Sequence, residues 1–144
     1  YNTVTNALLA KYPKIDAIFA DYGLGVMGAL RAFQAAGRPI PLLVSQDANE
    51  LACFYEDNKE NEPNFEYASI NYSGPWFTAW ALRKGMAHVQ GIDNLEPTVI
   101  QETLAEDTTN PDLPPICHRD LPPDALPSNT TLSHAQLKEL FASE

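Results

Sequence analysis

Three short apolar runs in this chain are each followed at once by residues that can make directional polar contacts. Asp21-Tyr22 follow Ile15 to Ala20, Gln46-Asp47 close Leu42 to Gln46, and Asn71-Tyr72 close Phe65 to Asn71. A carboxylate such as Asp47 accepts hydrogen bonds from two neighbouring hydroxyls, and charge-assisted bonds are the stronger ones. The Asn71 amide offers one acceptor and two donors, so it reads a hydroxyl in either sense. Tyr22, Tyr72 or Trp76 could lay an aromatic face against the C–H side of a sugar ring. Together these groups suit a polyhydroxylated small molecule. The same residues also have a plainer use, since Asp47 and Ser73 are suited to capping helices whatever the function.

Catalytic patterns do not emerge. The chain has no nucleophile elbow, no phosphate-cradling glycine loop and no HExxH. "GLGVMG" (Gly23 to Gly28) follows a strand-like run, yet its spacing differs from a dinucleotide fingerprint and Leu24 to Met27 read as helix core. His88, His118 and His134 are scattered singly, so neither a metal site nor another cofactor is expected. Cys53 and Cys117, the only cysteines, lie 64 positions apart, too far for a zinc pattern. They are either two separate buried thiols or one structural disulfide. "NYS" at Asn71 and "NTT" at Asn129 match the glycosylation sequon, a pattern common by chance.

The elements that must position these groups follow from periodicity. Val4, Leu8 and Leu9 sit at helical spacing before Pro13. Ile15 to Ala20 and Leu42 to Gln46 read as buried strands. Between them Val26, Met27, Leu30 and Phe33 mark one face of a helix over Leu24 to Ala36, with Gly37 as its stop. A short helix is predicted from Asn49 to about Asp57, then a strand over Phe65 to Asn71. A long helix runs from Gly74-Pro75 to near Gly91, and Pro97 to Ala105 reads as a fourth strand. Thr108 to Ser128 holds six prolines and reads as an extended loop. Ser133 is placed to cap a final helix through Phe141. Strands alternating with helices predict an α/β fold, a three-layer αβα arrangement around a parallel sheet.

Composition narrows the function. With 9 basic against 19 acidic residues the net charge is -10, which repels phosphate backbones and argues against nucleic-acid binding. Hydrophobic residues make up 44%, enough for a folded domain. No apolar run reaches the roughly 20 residues of a membrane span. Tyr1 opens on helical-looking sequence, which reads as a segment of a longer protein.

"LLAKYPKIDAIFADYGLGVMGALRAFQAAGR" resembles the type I periplasmic binding proteins, in particular the ribose-binding-like sugar transport family. "PLLVSQDANEL" and "EYASINYSGPWFTAWALRKGM" resemble the two units that follow there, and the likeness covers about Asn2 to Gly91. The resemblance implies that residues 1–107 form an incomplete carboxyl-terminal lobe, with upstream strands missing, and that residues 108–144 are a Pro-rich tail with a terminal helix. It places Asp47 on the family's sugar-binding Asp, Asn71 on its sugar-binding Gln and Tyr22 on a position usually Asn. Ser45 stands where the family has Gly, and Tyr22-Gly23 where it has Asn-Asp, which points to a ligand other than the best-known pentoses and hexoses.

The implied protein is a non-enzymatic, periplasmic solute-binding component of an ABC transporter. Its partners would be a sugar-like ligand and a membrane permease, and the full-length parent would be monomeric. Asp21, Tyr22, Asp47, Asn71 and Trp76 would line half of its cleft. The family's strand order would leave Ile15 to Ala20 at a sheet edge, where its apolar character favours self-association of the isolated segment. The rival with the same fold is the effector-sensing domain of a LacI-type transcription regulator, cytoplasmic and dimeric, and a sensor-kinase input domain or an enzyme built on this scaffold is a third.

Overall fold

The computed structural model describes residues 1–71, 74–127 and 132–142, the side chains of Gly74 and Pro75 excepted. Among them are five helices and four strands in the order α1 (Asn2–Lys11), β1 (Ala17–Phe19), α2 (Gly23–Ala35), β2 (Leu42–Gln46), α3 (Asn49–Asn58), β3 (Tyr67–Ile70), α4 (Gly74–Gln90), β4 (Leu104–Asp107) and α5 (His134–Ala142). The sheet order is β1-β2-β3-β4. β1, β2 and β3 are parallel neighbours, whereas β4 runs antiparallel to β3. The chain is thus a mixed α/β protein with a mostly parallel sheet.

Period two along the strands explains the core. Leu43 on β2 and Tyr67 on β3 are register partners and share one face, both essentially unexposed. Onto that face α2 lays Val26, Met27, Leu30 and Phe33, and α3 lays Leu51, with Ile40 and Phe65 closing the ends. Phe54, Tyr55, Phe65 and Tyr67 meet in a chain of ring contacts with centroids 5.5 to 6.0 Å apart. The α2 stop is as expected: Gly37 adopts φ +62°, and the Arg38 amide reaches back to the Phe33 carbonyl at 3.0 Å. Ser133 caps α5 in a reciprocal box, its hydroxyl accepting from the Gln136 amide while the Gln136 side chain accepts from the Ser133 amide.

Two expectations are corrected. The fourth strand is Leu104–Asp107, not Pro97 to Ala105, and it is antiparallel. Pro97 lacks the N–H a ladder needs, and Val99 is 83% exposed. The long return after α4 instead delivers the chain to the carboxyl end of β3, where the Asn71 amide binds the Thr103 carbonyl at 3.1 Å. From there the chain can only run back down the sheet. The first strand is also not buried. It is an edge of three residues, and Phe19 is 84% exposed.

The segment after β4 packs as a fastened strap against α3. Cys53 and Cys117 form a disulfide with a Cα–Cα distance of 4.5 Å. Closing a loop of that length contributes on the order of 4 kcal/mol. Arg119 reaches both carboxylate oxygens of Asp57, at 2.6 and 3.0 Å, and holds that carboxyl below its usual range. A second, small apolar cluster of Leu121, Ala125 and Leu137, with Phe141 against it, docks α5.

Candidate functional site

Parallel strands end on the same side, so β1, β2 and β3 bring Asp21-Tyr22, Asp47 and Asn71 to one rim of the sheet. The Asp47 amide donates to the Ile70 carbonyl at 3.0 Å, which sets Asp47 directly beside Asn71. α2 approaches the same point closely. A Cβ on Gly23 would collide with the Gln46 carbonyl and come within 2.7 Å of the Asp47 carbonyl oxygen. Gly28 likewise makes room for α1, with the Asn2 nitrogen 3.1 Å from where its Cβ would be. The "GLGVMG" glycines are therefore spaced for helix packing.

The four candidate residues at the rim, and Trp76 in α4, do not share one environment. Asp21 accepts a hydrogen bond from the Tyr1 hydroxyl, and that bond, with burial, raises the Tyr1 pKa. Tyr22 is the N-cap residue of α2 and is 41% exposed. The Asn71 side-chain amide donates to Thr103 Oγ1 at 2.6 Å, so part of its hydrogen-bonding capacity serves the β4 entry. Trp76, in the first turns of α4, is 53% exposed. Asp47 alone is buried, at 4%. Tyr72 and Ser73, and with them the expected aromatic contact and helix cap, lie outside the described residues, as does Asn129.

Asp47 faces the strap across a shared cavity. Asp47, Ala48 and Asn49 from the β2–α3 junction and Glu106 from β4 form one side of a cavity of about 250 Å³. Pro114, Ile116, His118 and Pro127 form the other. Of the candidate residues only Asp47 lines this cavity. Just before it on β2, Ser45 Oγ and Gln46 Oε1 are buried with no hydrogen-bond partner among the described residues.

Asp47 was also a candidate helix cap, but the N-cap of α3 is Ala48, without a side-chain cap. The strap satisfies the first N–H groups instead: Asn49 N donates to the Ala125 carbonyl at 3.0 Å and Glu50 N to the Pro123 carbonyl at 2.9 Å. The Asn49 side chain completes the seam. Its Nδ2 donates to the carbonyls of His118, Leu121 and Pro122, and its Oδ1 accepts from the His118 amide at 2.9 Å. Asn49 is 3% exposed and fully committed to this work.

Glu106 is the second carboxyl at the cavity. It accepts from the Tyr67 hydroxyl at 2.8 Å, the Ser69 hydroxyl at 3.2 Å and the Ile116 amide at 3.3 Å. Burial nevertheless raises its pKa, aided by nearby Asp47, since these donors only partly offset the cost of removing a carboxylate from water. The Tyr67 phenol is pushed strongly upward by its own burial and by Glu106. His118 packs tilted against His134 with ring centroids 4.7 Å apart, and His134 Nε2 lies 3.1 Å from an Asp120 oxygen. Lys138 and then His134 hold Asp120 down at about 2.

Sequence reasoning missed Asn49, Glu106 and His118. Glu106 lay one residue beyond the assigned strand. Asn49 read as an ordinary helix start, and nothing local ties it to residues about seventy positions later. Among the described residues no helix is long and apolar enough to cross a membrane, and no three His, Cys, Asp or Glu side chains cluster to hold a metal ion. No family model, curated protein or solved structure matches the chain.

Proposed function

We propose that this chain is a ligand-binding lobe of a three-layer αβα solute-binding protein, of the type I periplasmic kind that delivers sugar-like molecules to an ABC transporter. The observation that carries the reading is the convergence of Tyr22, Asp47 and Asn71 on the carboxyl ends of three adjacent parallel strands. Open α/β sheets bind ligands at that rim, and this set of a phenol, a carboxylate and an amide suits hydroxyl groups. The Cys53–Cys117 disulfide favours an exported protein over the cytoplasmic regulator with the same fold, because cytosolic thiols are kept reduced. In such proteins the second wall of the cleft comes from a partner lobe that closes by a hinge, so this chain presents a half-site with weak affinity of its own.

Weak binding is best read by amide chemical shifts. Titration of the isotope-labelled chain, in its bridged and its dithiol-reduced forms, with neutral pentoses, hexoses and polyols at high millimolar concentration should move the amides of Tyr22, Asp47 and Asn71 together in at least one form. Asp47→Ala should abolish those shifts while leaving the spectrum of the core in place. Absence of any shift at the rim with every polyol in both forms, or shifts confined to another face, would remove the sugar-site assignment.

A further inference from the structure

We propose that residues 114–127 form a redox-fastened cover over Asp47, shut while Cys53 and Cys117 are bridged and opened by a dithiol reductant. Asp47 and its neighbours leave the same sheet edge, yet Tyr22 is 41% exposed and Asp47 only 4%. On the strap side, Pro114, Ile116, His118 and Pro127 line the cavity that Asp47 also lines, and we assign the difference in exposure to them.

The fastenings are concentrated on one helix. Cys53, Asp57, Asn49 and Glu50 of α3 hold Cys117, Arg119, the carbonyls of 118, 121 and 122, and the carbonyl of Pro123. The Cys117 amide adds a long bond to Glu56 at 3.4 Å. Apart from the disulfide, these are hydrogen bonds and an exposed ion pair, each of modest net strength. The strap carries three apolar anchors, Leu121 and Ala125, which are buried, and Leu126, partly buried against the main core. The covalent bond is therefore the fastening that makes closure durable, and removing it leaves a cover that can lift while the sheet and its helices stay packed.

Both cysteines are half-buried, so the bridge is within reach of a small thiol. One thiolate of the dithiol attacks a cysteine sulfur, forming a mixed disulfide and releasing the other cysteine as thiolate, which takes a proton. The second thiol of the reductant, as thiolate, then displaces the remaining cysteine. The products are two protein thiols and the oxidised, disulfide form of the reductant. Closure is the reverse with an oxidised dithiol.

This gating acts on the site proposed above and rests on that reading for its meaning, whereas the opening can be measured without any ligand. The probe is a water-soluble carbodiimide with a small amine, which derivatises accessible carboxyls, read by peptide mass spectrometry beside hydrogen exchange. Reduction should raise labelling of Asp47 about tenfold, the change that about 1.4 kcal/mol of lost closure produces. Amides of 117–125 and those of Asn49 and Glu50 should exchange faster, with β2 and β3 unaltered. The Cys53→Ala/Cys117→Ala variant should behave as the reduced protein without reductant. Unchanged Asp47 labelling in both forms overturns the cover. So does loss of protection throughout β2 and β3, because the bridge would then be a staple of the whole fold. Polyol titrations that move no rim amide would count against the sugar site alone and leave the labelling result standing.

Discussion

The body of the molecule, from α1 to β3, and the strap that follows β4 are held by different forces. In the body, Leu43, Tyr67, Phe33, Leu30 and Leu51 are buried to within 1% of completely, and polar contacts are secondary. The strap buries Leu121 and Ala125, rests Leu126 against the main core, and is held besides by a disulfide, the Asn49 side chain, backbone bonds from Asn49 and Glu50, and a guanidinium–carboxylate pair. The contrast follows from composition. Prolines 111, 114, 115, 122, 123 and 127 cannot donate to a ladder or continue a helix, so the segment has no regular structure through which to present an apolar face. Burial is non-directional and proportional to area, and it yields a body that tolerates local change. Directional fastenings localise stability in a few atoms, so one substitution can release the strap.

The largest effect is expected in the body. Phe33→Ala should destabilise by about 3–5 kcal/mol, seen as a lower urea midpoint for every probe at once, because Phe33 is 1% exposed at the centre of the α2 contact. A change that moved only the strap's signals would refute this division of forces. Asn49→Ala should cost less, about 1–3 kcal/mol for the buried groups left unpaired. Its effect should fall on exchange at 118–125 before the sheet is touched. Equal acceleration of β2 and β3 would make body and strap one cooperative unit.

The smallest expected effect is a pH dependence at the seam between the two regions. Glu106 has a raised pKa in the folded state, so its contribution to stability is fully present below the ordinary glutamate range of about 4.3. It is lost as pH rises through the elevated folded value. Glu106→Gln carries no titrating proton, so its stability should fall less than the parent's between acid and neutral pH. Parallel profiles of parent and variant, from urea melts across that range, would show that Glu106 is solvated and not a seam residue.

The sequence by itself determined the elements wherever hydrophobic periodicity and punctuation were local. Leu42–Gln46 was legible to the residue, α2 was delimited by its apolar face and Gly37, and Ser133 announced α5. The shared rim of Asp21, Tyr22, Asp47 and Asn71 was also legible, because consecutive parallel strands must end on one side. The two open readings of the cysteines could not be resolved from spacing, since a bridge needs Cα atoms within about 7 Å. Only the three-dimensional path of residues 108–117 brings them there. The direction of β4 was likewise hidden, being set by where the return from α4 meets Asn71 and not by any property of Leu104 to Asp107. Above all, the covering of Asp47 depends on Asn49 meeting carbonyls about seventy residues away. Such pairings depend on how the tertiary path closes, and single-residue chemistry carries no record of it.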